Sequence, residues 1–296
     1  MTCQYVGRFA PSPSGPLHIG SLLTALTSYL DAHAHYGKWL VRIEDIDPPR
    51  EQPGATTQIL NTLAAHGLHA DGEIRYQSNR IAEFQTMINQ LLDTSHAYRC
   101  DCTRAMIKQN GGLYTGRCKT RSQVHSPCAI RFINPGTIGQ FNDHFQGLVT
   151  LKQSYPLAHE DMIIQRKDGL IAYNLAVVAD DIDQGVTHII RGMDLLPTTL
   201  SQMNLWQHFS DTLPIYGHTP VLVTVPGQKL SKQNHARAVD PTQAIANLRY
   251  CFTVLGLDVP ISNDDTTIAD MLHHATVQWR QGITFKTHEI IVTETI

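Results

Sequence analysis

Long apolar runs are missing from this chain of 296 residues, and none approaches the roughly 20 residues that a helix needs to cross a bilayer. The N-terminus also lacks a basic segment followed by an apolar one, the pattern of a secretory signal. Both absences argue against a membrane protein or a secreted one. We therefore expect a cytoplasmic protein that has no membrane partner.

Cysteine is scarce, since the six cysteines, at positions 3, 100, 102, 118, 128 and 251, are too few and too unevenly placed for a disulfide framework. Three of them crowd into residues 100–118, which suggests a metal site. Thiolates suit Zn²⁺, but Cys-x-Cys followed by a distant Cys is not the usual zinc spacing. The spacing alone leaves a metal centre and a group of buried free thiols both open.

Charge is also sparse: 17% of the residues are charged, the net charge is −3 and the pI is near 6.6. These values argue against indiscriminate binding to nucleic acid, which depends on neutralising phosphates. Six basic residues nevertheless surround the cysteines, against the single acid Asp101. They form either a positive field for an anionic partner or a solvated loop face. The six are Arg99, Arg104, Lys108, Arg117, Lys119 and Arg121.

Short apolar runs alternate with helical patterns along most of the chain, which predicts an α/β fold. Strands are expected at 5–6, 39–43, 161–164, 187–192 and 220–225, and helices at 22–35, 56–66, 80–92, 197–208, 241–255 and 268–279. A further helix is expected in the later part of 169–178. The stretch from 99 to 150 is rich in glycine, proline and short alternating runs, which indicates a small β-rich insertion.

These patterns divide the chain into three parts. Residues 1–98 and 151–240 form the α/β body, 99–150 form the inserted subdomain, and 241–296 form a helical C-terminal segment. Only 64 residues follow Lys232, fewer than in a typical domain, so we expect no separate domain after it.

The stretch Gly7–Ser21, with the sequence GRFAPSPSGPLHIGS, joins the first strand to the first helix. Small residues let a ligand approach the backbone, and the free N–H groups of a helix start favour an anion. His18 lies just before that helix and can donate a hydrogen bond to a phosphate oxygen. The stretch predicts a phosphate-binding loop, with a core histidine as the alternative for His18.

Two charged residues stand at the ends of predicted strands. Glu44 follows the strand at 39–43, and Arg191 lies at the end of the strand at 187–192. Sheets of this kind bind ligands beyond the carboxyl ends of their strands, so both residues are site candidates. For Glu44 the alternative is a surface acid at a turn.

Four segments carry a resemblance to a known family. Residues 16–21, PLHIGS, are similar to the His-Ile-Gly-His signature of class I aminoacyl-tRNA synthetases, and residues 229–233, KLSKQ, to their Lys-Met-Ser-Lys-Ser loop. Residues 8–15, RFAPSPSG, and residues 42–47, RIEDID, resemble the glutamate-specific branch. The match covers nearly the whole chain, with its motifs in the right order.

The resemblance implies a Rossmann-like catalytic domain that uses ATP, with Mg²⁺, to activate an amino acid. It implies that His18 and Lys232 are catalytic, and that the ATP site consists of His18, Gly20, Lys229, Ser231 and Lys232. Ser21 and Gln233 depart from the two family motifs. Neither departure removes His18 or Lys232.

Glutamate has two carboxylates and one ammonium, so its pocket needs guanidinium groups and one acid. The resemblance implies that Glu44 takes the ammonium, that Arg191 takes the side-chain carboxylate, and that Tyr173 completes the pocket. For Tyr173 a packed aromatic is the alternative. The remaining residues implied for the amino acid are Arg8, Phe9, Ala10, Pro11 and Ser12.

The resemblance further implies one structural Zn²⁺ per chain, held by Cys100, Cys102, Tyr114 and Cys118. Cys128 is a rival fourth ligand. The site would pin a loop that faces tRNA.

Since an anticodon-binding domain is not expected, the resemblance is to truncated members of the glutamate branch. These activate glutamate without tRNA and attach it to the queuosine base in the anticodon of tRNA(Asp). We expect a monomer whose partners are L-glutamate, ATP and queuosine-bearing tRNA(Asp). The alternatives are a shortened enzyme that charges tRNA(Glu), a small-molecule adenylyl or nucleotidyl transferase, and a non-catalytic RNA-binding relative.

Overall fold

The structure is a computed structural model that describes residues 4–150, 160–229, 237–259, 266–285 and 287–292. Its helices are α1 Ile19–Ala34, α2 Ala55–Ala65, α3 Ile81–Asp93, α4 Arg104–Gln109, α5 Tyr173–Asp183, α6 Thr199–Trp206, α7 Ala244–Leu255 and α8 Ile268–Trp279. Its strands are β1 Val6–Phe9, β2 Lys38–Ile43, β3 Arg75–Tyr76, β4 Ala97–Cys100, β5 Ala129–Phe132, β6 Gln140–Asp143, β7 Gly147–Thr150, β8 Ile163–Gln165, β9 His188–Gly192, β10 Ile215–Thr219, β11 Val221–Val225, β12 Gln228–Lys229 and β13 Glu289–Ile291. Across these ranges, no helix has the length and apolar character to span a bilayer.

Two parallel sheets meet edge to edge at the centre of the fold. β2 pairs with β1 and β3, and β9 pairs with β10, all in parallel register. Just before β9, the backbone N–H of Thr187 donates to the carbonyl oxygen of Val6 in β1, and Val6 donates in return to the Thr187 hydroxyl, each at 2.9 Å. The strand order β3-β2-β1-β9-β10 switches direction between β1 and β9, which is where open α/β sheets bind ligands.

The first hydrophobic core lies between α1 and the sheet formed by β1 and β2, with α2, α7 and α8 around it. Leu22, Leu26 and Leu30 of α1 are completely buried there. Fully burying such a side chain contributes about 1.5–3 kcal/mol. The indole N–H of Trp279 in α8 donates to Asp31 in α1 at 2.9 Å, so the C-terminal helices are bonded directly to the body.

The second core combines α3, α5 and α6 with β9, β10 and the antiparallel sheet β4-β5-β8. The hairpin formed by β6 and β7 lies against β10, because the backbone N–H of His144 donates to the carbonyl oxygen of Tyr216 at 2.7 Å. The insertion is therefore bonded to the body at β8 and at β10.

Most predicted helices and strands are confirmed within a few residues, but two differences affect the site. β1 extends to Phe9, so Arg8 and Phe9 belong to a strand and not to the loop. α5 continues to Asp183, beyond the predicted end at 178, because Asp180 and Asp181 are buried against arginines and do not mark a surface turn.

Candidate active site

His18 ends the loop after β1 and caps α1. Its Nδ1 accepts a hydrogen bond from the backbone N–H of Ser21 at 3.3 Å, so a neutral ring carries its proton on Nε2. The chain returns to this point after the predicted lysine loop, since Ala238 forms a β-bridge with His18. Ser231 and Lys232 lie outside the described residues, and Lys229 ends β12.

A cavity of about 340 Å³ opens beyond the carboxyl ends of β1 and β9. A second cavity, of about 710 Å³, adjoins it and shares Ser12, Ser14 and Tyr173 with it. Glu44 lines the second cavity. The other predicted residues that the structure describes with their side chains, apart from the proposed metal ligands, all line the first: Arg8, Phe9, Ala10, Pro11, Ser12, His18, Gly20, Tyr173 and Arg191.

Arg8 is a buried arginine in the wall of the first cavity. Its Nε donates to Asp181 Oδ1 at 3.0 Å, and its Nη1 donates to the carbonyl oxygen of Ile190 at 3.5 Å. Its Nη2 has no acceptor within the described part of the chain. Arg8 is therefore held in place by α5 and retains donors for a bound anion.

Arg191 is also buried, and its guanidinium is fixed from several directions. Nε donates to His218 Nε2 at 3.2 Å, Nη1 to Gln202 Oε1 at 2.6 Å, and Nη2 to Thr199 Oγ1 at 2.8 Å and to the carbonyl oxygen of Leu195 at 3.3 Å. A guanidinium has five N–H groups, so at least one has no acceptor among the residues described. Arg191 is a rigid donor that can still bind a carboxylate.

Glu44 is a buried acid whose Oε1 has no hydrogen-bond partner in the described ranges. Burial raises its pKa to about 7, although Arg42 and Arg8 oppose that rise. Its Oε1 lies 3.7 Å from Arg42 Nη2, too far for a hydrogen bond. A buried carboxylate oxygen without a partner is costly, and a ligand ammonium would satisfy it.

Charged residues that were not predicted from the sequence support this pocket. Arg42 is completely buried, and its Nη1 donates to Asp181 Oδ1 and to Gln184 Oε1, each at 2.8 Å. Burial alone would raise the pKa of Asp181, but the guanidiniums of Arg42 and Arg8 lower it overall. The available signal was an arginine inside an apolar strand and paired acids on an apolar helix face.

A second group of candidate residues lies in the insertion. The Sγ atoms of Cys100, Cys102 and Cys118 all lie within 4.8 Å of one another, and all three residues are buried. Tyr114 is buried in the same cluster, and its Oη accepts the backbone N–H of Cys118 at 3.1 Å. The Sγ atom of Cys128 is not part of this set of three. Three buried thiols this close together could hold a metal ion.

The surface around these cysteines is positive. Arg121 is paired with Asp101 at 2.8 Å, whereas the other five basic residues are exposed and form no ion pair with any described residue. We call these five the basic surface: Arg99, Arg104, Lys108, Arg117 and Lys119.

Comparison with known proteins identifies the family. Residues 4–250 match the family described as tRNA synthetases class I (E and Q), catalytic domain. Glutamyl-Q tRNA(Asp) synthetases are similar over nearly the full length: that of Vibrio cholerae is 48% identical over 94% of this chain and 91% of its own length, and that of Idiomarina loihiensis is 46% identical over 93% and 97%. The chain belongs to the glutamyl-Q tRNA(Asp) synthetase family.

Solved synthetase structures agree with this family assignment. A glutamate tRNA ligase from Elizabethkingia meningosepticum, in complex with its amino acid, superimposes with a TM-score of 0.73 at 25% identity over 91% of this chain. This chain spans 64% of the length of that ligase. A glutamate-tRNA synthetase from Elizabethkingia anophelis superimposes with a TM-score of 0.75 over 98% of this chain and 69% of its own, and at 23% identity it supports the fold alone. The predicted α/β fold of a class I synthetase, a ligase, is confirmed.

Proposed function

We propose that this chain activates L-glutamate with ATP in the absence of tRNA and transfers it to queuosine in the anticodon of tRNA(Asp). The observation that carries the proposal is one cavity that joins two buried arginines, Arg8 and Arg191, to the helix start at His18, with Glu44 beside it. These groups complement the two carboxylates and the ammonium of glutamate next to an anion site. The acceptor in this proposal is inferred from the relatives, which are named glutamyl-Q tRNA(Asp) synthetase.

In this proposal Arg191 binds the side-chain carboxylate of glutamate and Glu44 binds its ammonium. Arg8, Phe9, Ala10, Pro11, Ser12 and Tyr173 form the rest of the amino-acid pocket. The N–H groups of these rigidly held guanidiniums fix the direction of the substrate, which places its α-carboxylate towards ATP.

In the first step an α-carboxylate oxygen attacks the α-phosphorus of ATP, the bond to the β-phosphate oxygen breaks, and pyrophosphate leaves. No protein nucleophile is needed, so catalysis consists of alignment and stabilisation of spreading negative charge. His18 and the N–H groups at Gly20 hold the phosphates from one side, with Mg²⁺ as counterion. Lys229, Ser231 and Lys232 hold them from the other.

In the second step a hydroxyl oxygen of the queuosine ring attacks the acyl carbon of the adenylate. The acyl–phosphate bond breaks, AMP leaves, and the hydroxyl proton passes to the departing phosphate oxygen. The cavity of about 710 Å³ adjoins the glutamate pocket at Tyr173. The acceptor base reaches the acyl carbon through that cavity.

We assign Cys100, Cys102, Cys118 and Tyr114 to one structural Zn²⁺. A site with four protein ligands leaves no open position for a reacting water, so the metal stabilises the loop and takes no part in the chemistry. The basic surface around it would contact tRNA phosphates. The α/β body at 1–98 and 151–240, the insertion at 99–150 and the helical segment at 241–296 would act together as a monomer.

The test is glutamate-dependent ATP–pyrophosphate exchange without tRNA, followed by transfer of radiolabelled glutamate to tRNA(Asp) with and without queuosine. We expect exchange without tRNA and label on queuosine-bearing tRNA(Asp) alone. Arg191→Ala should abolish exchange, whereas Arg249→Ala, an exposed arginine on α7, should not. Exchange that requires tRNA(Glu), or label at the 3′ end of tRNA(Glu), would instead identify a shortened glutamyl-tRNA synthetase.

A further inference from the structure

Arg191 is the last member of a buried chain of three side chains that come from three strands. Asp143 ends β6, His218 lies in β10, and Arg191 lies in β9. His218 Nδ1 lies 2.5 Å from Asp143 Oδ2, and His218 Nε2 accepts a hydrogen bond from Arg191 Nε at 3.2 Å. Each of the three residues is no more than 4% exposed, so solvent cannot replace these bonds.

Asp143 fixes which nitrogen of His218 carries the proton. Its Oδ1 accepts the backbone N–H groups of Phe145, Gln146 and His218 at 3.0–3.1 Å, which orients the carboxylate. An ionised carboxylate only accepts hydrogen bonds, so the proton of the imidazole must lie on Nδ1. Nε2 then presents a lone pair to the Nε–H of Arg191. Burial lowers the pKa of His218 to about 4, so the ring is neutral near pH 7.

We propose that His218, held in one tautomer by Asp143, is a positioning residue for the amino-acid substrate, because together with Gln202 and Thr199 it fixes the plane of the Arg191 guanidinium. A guanidinium is planar, so fixing Nε–H fixes the direction of every other N–H on the group. The inference rests on the proposed function, in which Arg191 binds the side-chain carboxylate of glutamate. It adds that the hairpin of the insertion controls how well that carboxylate is bound.

Asp143→Asn tests this arrangement with almost no change in shape. The amide oxygen can retain the three backbone hydrogen bonds, while the NH₂ group faces His218 Nδ1 as a donor. The imidazole proton must then move to Nε2, where it opposes the Nε–H of Arg191. We expect KM for glutamate in the exchange reaction to rise at least tenfold, with KM for ATP and kcat within about twofold of wild type.

Two further variants separate positioning from packing. His218→Gln keeps an oxygen that can accept from Arg191, and we expect a smaller rise in KM for glutamate than with His218→Leu. In the His218→Leu background, Asp143→Asn should have no further effect on KM, since the side chain through which it acts is gone. Asp211→Asn is the matched control, because it makes the same chemical change at an exposed position before β10.

The outcomes distinguish this inference from the proposed function. If wild-type protein shows no glutamate-dependent exchange, the proposed function is wrong. If wild type is active and folded Asp143→Asn keeps its KM for glutamate within twofold, or binds glutamate and ATP with equally reduced affinity, the positioning role is wrong. The same conclusion follows if Asp143→Asn and His218→Leu have additive effects.

Discussion

The pKa of Glu44 is raised by burial and lowered by the nearby guanidiniums. Burial raises its pKa to about 7, and the nearby acids Asp181 and Asp180 contribute to the rise, while the Arg42 and Arg8 guanidiniums lower it. The carboxyl therefore changes charge near pH 7. Its ionised form alone can pair with the ammonium of glutamate.

The pH dependence of glutamate activation follows from this pKa. In tRNA-independent exchange, we expect kcat/KM for glutamate to fall below about pH 7 and to approach a tenfold loss per pH unit, because the protonated carboxyl cannot hold an ammonium. Above that pH the value should level off. The measurement is exchange at subsaturating glutamate between about pH 5 and pH 9.

Glu44→Gln should give a low kcat/KM without this acidic limb, since the amide does not titrate. Glu73→Gln, at an exposed position in the segment that leads to β3, should retain the wild-type profile. An acidic limb that persists in Glu44→Gln would assign the titration to another group and contradict the proposed role.

Among single residues, those that line the two cavities could be predicted from the sequence, whereas the residues that hold them in place could not. Arg8 and Glu44 could be predicted because they lie in family motifs, and Glu44 and Arg191 because they stand at the ends of predicted strands. Asp181 and His218 could not, because their role depends on partners far away in the sequence. The Arg8–Asp181 pair spans 173 residues and the Asp143–His218 pair spans 75. The paired acids on the apolar face of α5 were a local signal, but no local pattern identifies such distant partners before the fold is known.

Among the structural elements, the segment that carries Cys100, Cys102 and Cys118 has two candidates for the fourth metal ligand, Tyr114 and Cys128. Tyr114 lies in the buried cluster, whereas Cys128 is not one of the three cysteines whose Sγ atoms lie close together. We expect purified protein to hold one zinc per chain. Tyr114→Phe should lower zinc affinity at least tenfold, and Cys128→Ala should leave it unchanged. Competition with a chromophoric chelator measures both affinities.

Removing the metal should impair transfer to tRNA(Asp) while glutamate-dependent exchange stays near wild type, because the cysteines do not line the cavity of about 340 Å³. Loss of zinc from Cys128→Ala together with full retention in Tyr114→Phe would reverse the assignment of the fourth ligand.

Helices were easier to predict than strands. α8 was predicted at its observed limits, 268–279, because its apolar residues recur at helical spacing. β10 was missed because its sequence, IYGHT, contains a glycine and a histidine. The glycine is required by close packing, since a Cβ at Gly217 would lie 2.7 Å from the Ile190 side chain. The histidine, His218, accepts a hydrogen bond from Arg191. Tertiary contacts therefore selected residues that strand propensity disfavours.

At the scale of the whole molecule, residues 99–150 connect the cysteine cluster to the cavity of about 710 Å³. Arg131 in β5 lines the cavity of about 710 Å³, and its guanidinium stacks 3.7 Å from the centre of the Tyr114 ring. The basic surface comes from the segments around the cysteines: Arg99 lies in β4, Arg104 and Lys108 lie in α4, and Arg117 and Lys119 flank Cys118. A bound RNA could thus contact the basic surface while its acceptor base enters the cavity.

Charge reversal on the basic surface should therefore separate the two steps of the reaction. Arg117 and Lys119 are exposed and have no ion-pair partner among the described residues, so their substitution does not unpair a neighbour. We expect the double variant Arg117→Glu, Lys119→Glu to weaken binding of tRNA(Asp) at least tenfold. The slope of log affinity against log salt concentration should fall by about one for each phosphate that the protein no longer neutralises.

Exchange without tRNA should be unchanged in this variant, because the cavity of about 340 Å³ does not include either residue. Lys38→Glu is the control, since Lys38 is exposed at the amino end of β2, opposite the edge that carries the site. Filter binding at several salt concentrations, run beside exchange and transfer assays, measures each effect. The double variant changes the net charge by −4 and Lys38→Glu changes it by −2. If tRNA affinity falls equally per unit of charge in both variants, the RNA responds to net charge alone, and the basic surface is not where it binds.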